Sequence, residues 1–81
     1  MKITLKLFAS FRQEFDTGIV QYDLPEGSTA QYLLDDIFSR HPTLSRFKGH
    51  VVVTVSLLAV PLTTTLHEGD EVAILPPVSG G

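Results

Sequence analysis

Residues 28–42 have the sequence STAQYLLDDIFSRHP, in which apolar side chains recur every three or four positions. That spacing places them on one face of an α-helix. A capping-box pattern, with the hydroxyl of Ser28 at the N-cap and the amide of Gln31 three residues later, predicts where the helix begins. Pro42 predicts its end, because the residue before a proline disfavours helical torsion angles. The predicted apolar face comprises Ala30, Leu33, Leu34, Ile37 and Phe38.

Strands are predicted on both sides of this helix. Apolar and polar residues alternate over residues 2–7 and 19–24, with the period of a half-buried strand. Residues 51–58 are rich in β-branched side chains, which favour strands, and they predict one central strand. Pro61 has no amide hydrogen, so the stretch that follows is restricted to an edge strand or a loop. Residues 71–75 predict a short final strand.

The order of these elements predicts an α+β fold in which a mixed sheet packs on one main helix. A second, shorter helix is expected between the first two strands, because Phe8, Phe11 and Phe15 recur at spacings of three and four. A chain of 81 residues has the size of one domain. We therefore predict a single domain over residues 1–75 and an extended tail over residues 76–81.

Composition excludes several classes of function. Nine acidic residues outnumber six basic ones, for a net charge of −3, so the chain lacks the basic face with which duplex-binding proteins displace counterions. No apolar run approaches the roughly 20 residues of a membrane helix, and Lys6 interrupts any apolar region of a signal peptide. We therefore expect a cytoplasmic protein that binds neither nucleic acid nor membrane. The absence of cysteine removes disulfides, thiolate nucleophiles and cysteine-ligated zinc.

The chain ends in six residues with a chemistry of their own, Pro76-Pro77-Val78-Ser79-Gly80-Gly81. Each proline lacks an amide hydrogen, so the sheet cannot continue through the pair, and six extended residues reach about 20 Å. Glycines without side chains allow the chain end to pass through a narrow channel. Joining the terminal carboxylate to AMP would create a mixed anhydride that a sulfur nucleophile opens to a thiocarboxylate. The alternative is a frayed terminus without function, since chain ends are often disordered.

Three motifs resemble a known family, the small subunit of molybdopterin synthase. They are Phe8-Ala9-x-x-Arg12, Leu66-x-x-Gly69-Asp70-Glu71-Val72 and the terminal six residues, and the resemblance covers nearly the whole chain. It implies a ubiquitin-like β-grasp fold, in which the first and last strands lie side by side in the middle of the sheet. It also implies a protein that is not an enzyme on its own. Such a protein is the sulfur-donor subunit of a sulfurtransferase complex, a heterotetramer with the large synthase subunit.

The resemblance also implies roles for individual residues. Gly81 would be adenylated by a ubiquitin-activating-type adenylyltransferase and converted to a thiocarboxylate, whose sulfur builds the dithiolene of molybdopterin in molybdenum cofactor biosynthesis. Phe8 and Leu75 would lie on the apolar surface that docks the partner. The chain itself would bind no cofactor or metal, and ATP would bind to the activating enzyme. The residues that would thread the partner's site are Pro76, Pro77, Val78, Ser79 and Gly80.

Other functions of a ubiquitin-like chain remain open at this point. Related carriers serve thiamine synthesis, transfer-RNA thiolation or protein conjugation, although the double proline and the chain length favour the molybdopterin branch. A plain interaction module predicts that loss of Gly81 leaves function intact. A protein modifier predicts conjugates of higher mass, joined to lysine through an isopeptide bond.

The remaining polar residues favour structural roles. Asp35 and Asp36 are adjacent on the predicted helix and point in different directions, which argues against paired-carboxylate catalysis. The hydroxyl run at residues 63–65 has no neighbouring base and predicts an edge or a loop. The three histidines fall in different predicted elements, so metal binding is not expected. They are His41, His50 and His67.

Overall fold

The structure, a computed structural model, describes residues 1–76 of the chain. Its five strands form one sheet in the order β2-β1-β5-β3-β4, with helices between them, which confirms the predicted α+β class. The tail predictions for Pro77 to Gly81 fall outside the described residues. In chain order the elements are β1 (Lys2–Leu7), α1 (Ala9–Phe15), β2 (Ile19–Asp23), α2 (Ala30–Arg40), a 3₁₀-helix (Pro42–Phe47), β3 (Val52–Val55), β4 (Leu58–Ala59) and β5 (Glu71–Leu75).

The first and last strands, β1 and β5, lie side by side in the middle of the sheet and run parallel. This arrangement is the one implied by the family resemblance. β2 pairs with β1, and β3 pairs with β5, both in the antiparallel sense, so the sheet is mixed as predicted. The last strand, β5, therefore lies in the centre of the sheet, with β1 on one side and β3 on the other.

The core lies between the sheet and α2. All five residues of the predicted apolar face of α2 are buried. Phe11 of α1 closes one end of the core, with its ring centroid 6.2 Å from that of Phe38 and 5.5 Å from that of Phe47. Each fully buried aliphatic or aromatic side chain stabilises the fold by roughly 1.5–3 kcal/mol. From the strands, the residues buried against α2 are Ile3, Leu5, Leu7, Val53, Val72 and Ile74.

The start of α2 differs by one residue from the prediction. Thr29, not Ser28, is the N-cap, and its Oγ1 accepts a hydrogen bond from the Tyr32 amide at 3.2 Å. The Ser28 hydroxyl is buried and donates instead to the carbonyl of Pro25 at 2.7 Å, which closes the preceding turn. Two adjacent hydroxyls could each cap the helix, and the turn determines which one does. The end of the helix at Arg40 agrees with the prediction.

Residues 51–58 do not form one strand, although the prediction of an interior strand is confirmed for β3, which lies between β5 and β4. The chain reverses at Ser56 and Leu57, which have φ angles of 50° and 73°. Val55 pairs with Leu58 across this two-residue turn. Positive φ at both central residues defines the turn type whose twist suits a hairpin. The turn lacks the Asn-Gly signature that would have revealed it in the sequence.

The two short helical segments fit the core differently. α1 is confirmed, with Phe11 buried, Phe15 half-buried and Phe8 exposed at its N-cap. Pro42–Phe47 forms a 3₁₀-helix, and its Leu44 is buried in the core.

Candidate functional site

β5 ends at Leu75, and the described chain continues to Pro76. Proline has no amide hydrogen to donate to a neighbouring strand, which accounts for the end of the ladder at this point. Because β5 runs parallel to β1 and antiparallel to β3, the chain leaves the sheet beside the end of β1 and the start of β3. We call this point the tail exit.

Phe8 lies beside the tail exit, and its side chain faces away from the core. Leu7 pairs with Ile74, so Phe8 follows next to Leu75 on the adjacent strand. Phe8 keeps an extended backbone, with φ −135° and ψ 156°, and its side chain therefore alternates with that of the buried Leu7. Ala9 then takes a φ of 51°, which turns the chain into α1. The Phe8 ring is 44 % exposed, as expected for a surface position, and its docking role stays a prediction.

Three further apolar residues share this face of the sheet. Leu75 is 36 % exposed and pairs with Val52, which is 48 % exposed. Ile19 is also exposed, and it pairs with Lys6, two residues before Phe8 on β1. Val52 and Ile19 were not predicted as surface contacts, although their outward positions in the alternating patterns of β3 and β2 indicate them. We define the exit surface as Phe8, Ile19, Val52 and Leu75.

Away from these residues the larger side chains of the outer face are polar, and the small Ala73 lies between Lys6 and Thr54. Lys6 Nζ lies 3.3 Å from Glu71 Oε2 in an exposed ion pair, and Gln21 donates to the Thr4 hydroxyl at 3.0 Å. Surface ion pairs of this kind contribute about 0–1 kcal/mol to stability. The apolar side chains of the outer face therefore concentrate at the tail exit, which suits docking of a partner beside the emerging chain.

Side-chain contacts hold α1 against the segment that follows α2. The Thr43 hydroxyl donates to Glu14 Oε1 at 2.6 Å, and His41 Nδ1 lies 3.1 Å from Glu14 Oε2. These hydrogen bonds, first that of Thr43 and then that of His41, lower the pKa of Glu14 from its ordinary value. The Phe15 and His41 rings stack at 4.3 Å. These contacts hold α1, whose N-cap is Phe8, in place.

The two aspartates of α2 contact different partners, which agrees with the prediction that they point in different directions. Asp36 Oδ2 accepts hydrogen bonds from the Tyr22 hydroxyl at 2.5 Å and from Arg40 Nε at 3.0 Å. Asp35 accepts from the Gln31 side-chain amide at 2.9 Å. Burial, followed by the hydrogen bond to Asp36, raises the pKa of Tyr22. The Tyr22–Asp36 contact joins β2 to α2, so its role is structural.

The histidines are dispersed among different parts of the fold. His41 contacts Glu14, His50 is exposed, and the backbone amide of His67 donates to Asp70 Oδ2 at 2.9 Å in a turn. Within residues 1–76, no group of three or more histidine and carboxylate side chains could hold a metal ion. None of the helices in this range has both the length and the apolarity needed to cross a membrane.

Comparisons with known proteins place this geometry in a family. A family model, the ThiS family, matches residues 5–81. A molybdopterin synthase sulfur carrier subunit from Arabidopsis thaliana is 31 % identical over 81 residues, which are 100 % of this chain and 84 % of the relative. Small archaeal modifier protein 1 from Haloferax volcanii is 34 % identical over 84 residues, covering 94 % of this chain and 97 % of the relative. The crystal structure of SAMP1 from Haloferax volcanii matches with a TM-score of 0.81 at 31 % identity and covers 100 % of both chains.

These similarities confirm the expected family and fold. The solved structure shares the β-grasp arrangement of a mixed sheet on one main helix. The Arabidopsis relative is a carrier subunit, which agrees with the prediction that this chain is not an enzyme on its own. The chain belongs to the ThiS family of ubiquitin-like sulfur carriers.

Proposed function

We propose that this protein is the sulfur-carrier subunit of a molybdopterin synthase and that it carries the sulfur as a thiocarboxylate on Gly81. The observation that carries the proposal is the tail exit. A central strand directs the chain end out of the fold beside the exit surface, and the sequence beyond it ends in two glycines. Such an arrangement allows a partner to hold the folded domain while the terminus reaches a separate reaction centre.

The chemistry requires activation of the terminus. An oxygen of the Gly81 carboxylate attacks the α-phosphorus of ATP, which releases pyrophosphate and leaves an acyl adenylate. A sulfur nucleophile at the oxidation level of hydrosulfide then displaces AMP and leaves the thiocarboxylate. The chain contains no cysteine, so it has no side chain that could hold the sulfur as a persulfide. The thiocarboxylate sulfur then displaces an oxygen leaving group from the acceptor carbon, and water cleaves the acyl–sulfur bond and restores the carboxylate.

Two partner proteins follow from this scheme, and we place the complex in the cytoplasm. A ubiquitin-activating-type adenylyltransferase would bind ATP and the tail. The large synthase subunit would bind the exit surface, form the heterotetramer and receive the tail from Pro76 to Gly81, so that the sulfur reaches the molybdopterin precursor. The assignment of the Arabidopsis relative as a subunit of molybdopterin synthase supports this choice of acceptor.

A protein modifier is the second candidate. It is favoured by the similarity to small archaeal modifier protein 1 over nearly the full length of both chains. A modifier uses the same acyl adenylate but transfers the acyl group to a lysine amine, so the terminus ends in an isopeptide bond. Carriage for transfer-RNA thiolation or thiamine synthesis would share the thiocarboxylate and differ only in the acceptor.

Tandem mass spectrometry of the C-terminal peptide, isolated from the native cells, tests the proposal. We expect exchange of one oxygen for sulfur at Gly81, and no such exchange in a variant that lacks Gly81. The exchange must be located within the peptide, because oxidation of Met1 changes the intact mass almost identically. A terminus that stays a plain carboxylate when an activating enzyme, ATP and sulfide are supplied would refute sulfur carriage. Conjugates of higher mass that contain the Gly81 acyl group would assign the modifier function.

A further inference from the structure

A depression lies between α2 and the segment that leads into β3, and we call it the α2 groove. Its volume is about 230 Å³. A water molecule needs only about 10–15 Å³ of such space, so the groove has room for an aliphatic side chain and the backbone beside it. The residues of its apolar wall are Leu34, Phe38, Val51 and Leu62.

The charged side chains that line the α2 groove cancel each other. They are Asp35 and Lys48, one of each sign. The Asp35 carboxylate already accepts a hydrogen bond from the side-chain amide of Gln31 at 2.9 Å, and the Lys48 ammonium lies 5.9 Å from the centre of the Phe38 ring. The groove is therefore suited to an uncharged, apolar group and not to an ion.

One wall of the α2 groove lies beside the tail exit. β3 and β5 are antiparallel, and Val52 pairs with Leu75. The same register continued by one position puts Val51 opposite Pro76, at the spacing of about 4.5–5.5 Å that separates opposed residues of antiparallel strands. Because Val51 lines the groove, the chain leaves the sheet next to it.

The chain also leaves on the face of the sheet where the groove lies. Side chains alternate along β5, so Ile74 is buried on the side of α2 and Leu75 is exposed on the outer face. Pro76 follows on the inner side and is half-buried, although it lies beyond the last residue of the strand. Val51 is half-buried on the same side, two residues before the buried Val53.

We infer that Val78 of the tail docks in the α2 groove of its own chain until a partner protein takes the tail away. The five residues after Pro76 span up to about 16 Å at about 3.3 Å each, which is several times the spacing between opposed strand residues. Val78 is the one aliphatic side chain among them apart from the ring of Pro77. The inference rests on the proposed function and adds a device that regulates access to the tail.

The contact should be weak enough for a partner to break. Burial of the Val78 side chain releases water from the apolar wall, whereas fixing the backbone of each tail residue costs conformational entropy of comparable size. If the docked tail is present in about half to four-fifths of the molecules, the apparent affinity of a partner that needs a free tail falls about 2- to 5-fold. The exit surface lies on the outer face, so it stays available while the tail is docked.

Nuclear magnetic resonance of the full-length protein tests the contact without any partner. The backbone amide shifts of wild type are compared with those of Val78→Ser and of Val78→Ile, the conservative control. We expect Val78→Ser to move the amide signals of Gly49 and Leu62, which line the groove, and to leave that of Asp23 at the opposite end of β1 unchanged. Val78→Ile should keep the groove signals near their wild-type positions, and a chain without residues 77–81 should reproduce the pattern of Val78→Ser.

Leu62→Ser tests the contact from the side of the groove. Leu62 belongs neither to the exit surface nor to the tail, so its replacement weakens the groove alone. We expect the large synthase subunit to bind Leu62→Ser about 2- to 5-fold more tightly than wild type, because the tail is released. Leu58→Ser changes an exposed leucine outside the groove and should bind like wild type. In Leu62→Ser, adding Val78→Ser should no longer move the groove signals; circular dichroism checks that each variant is folded.

Several results would overturn the inference. Groove signals that are the same in Val78→Ser and Val78→Ile would show that the tail does not dock there. Shifts at Phe8 and Ile19 in place of the groove would put the tail on the exit surface, and shifts that depend on protein concentration would assign the groove to the tail of a second copy. The resonance measurements involve no sulfur, so mass spectrometry of Gly81 tests sulfur carriage separately.

Discussion

At the scale of single residues, the β3–β4 turn is the least favourable part of the backbone. Ser56 and Leu57 both take positive φ angles, which cost a residue with a β-carbon about 1–2 kcal/mol. The Leu57 side chain is 87 % exposed, so burial does not offset this cost. The turn is imposed by pairing of the flanking strands, which puts Val55 opposite Leu58.

Replacing Leu57 by glycine should therefore stabilise the protein. Glycine adopts a φ of 73° without a steric penalty, and the gain exceeds the added chain entropy of the unfolded state. We expect the free energy of unfolding in urea to rise by about 0.5–1 kcal/mol for Leu57→Gly. Leu58→Gly is the matched control: its φ is not positive, so that substitution should destabilise the protein. A loss of stability in Leu57→Gly would contradict the argument.

At the scale of elements, α1 depends on contacts made by its side chains. It has seven residues and no side-chain N-cap hydrogen bond, so it is too short to be stable alone. Phe11 anchors it in the core, and Glu14 links it to Thr43 and His41. The link matters for the site, because α1 directly follows Phe8 of the exit surface.

The Glu14 contacts should make stability depend on pH. The folded state lowers the pKa of Glu14 below 4.5, so ionised Glu14 stabilises the fold. This contribution is complete at pH values above 4.5 and is lost as the pH falls through the lowered pKa. We expect Glu14→Gln to be less stable than wild type at pH 7 and the difference to vanish in strong acid, as measured by urea unfolding between pH 2 and pH 7.

Glu26→Gln supplies the control for this series. Glu26 forms no side-chain hydrogen bond or ion pair within the described residues, so the substitution removes a carboxylate without removing a contact. A Glu26→Gln profile identical to that of Glu14→Gln would show that net charge, not the Glu14 contacts, sets the acid response.

At the scale of the whole molecule, the residues that stabilise the fold and the residues of the exit surface lie on opposite faces of the sheet. α2 and the inner face of the sheet bury the core, while the outer face carries the exit surface at one end. The central strand β5 contributes to both, since Ile74 is buried and the next residue, Leu75, is exposed. A change in the exit surface can therefore alter binding while the core stays intact.

Phe8→Ala should weaken binding to the large synthase subunit at least about 5-fold, because truncating an aromatic anchor at an interface costs more than about 1 kcal/mol. Isothermal titration calorimetry at a temperature where the variants are fully folded measures the effect. Leu58→Ala removes an exposed apolar side chain from the edge strand β4 and should bind like wild type. Equal affinities for wild type and Phe8→Ala would remove Phe8 from the docking surface.

Local patterns determined most of the element map. The apolar period of residues 30–40 and the alternation in residues 2–7 each record which side of an element is buried, so α2 and β1 were predictable from the chain alone. Pro76 likewise determines where β5 ends, because its missing amide hydrogen is a covalent property. The two terminal glycines likewise indicate the candidate reactive end from the sequence alone.

The tertiary structure decided features that depend on long-range contacts. The neighbours of β5 place Val52 next to Leu75, although 23 positions of sequence separate them, and no local period reports such a pairing. Strand pairing imposes the turn at Ser56, although its residues disfavour positive φ angles. Thr29 is the N-cap of α2 because the Ser28 hydroxyl is already bonded to the Pro25 carbonyl in the preceding turn. Local sequence fixes which faces are apolar, whereas the exit surface arises from which elements become neighbours.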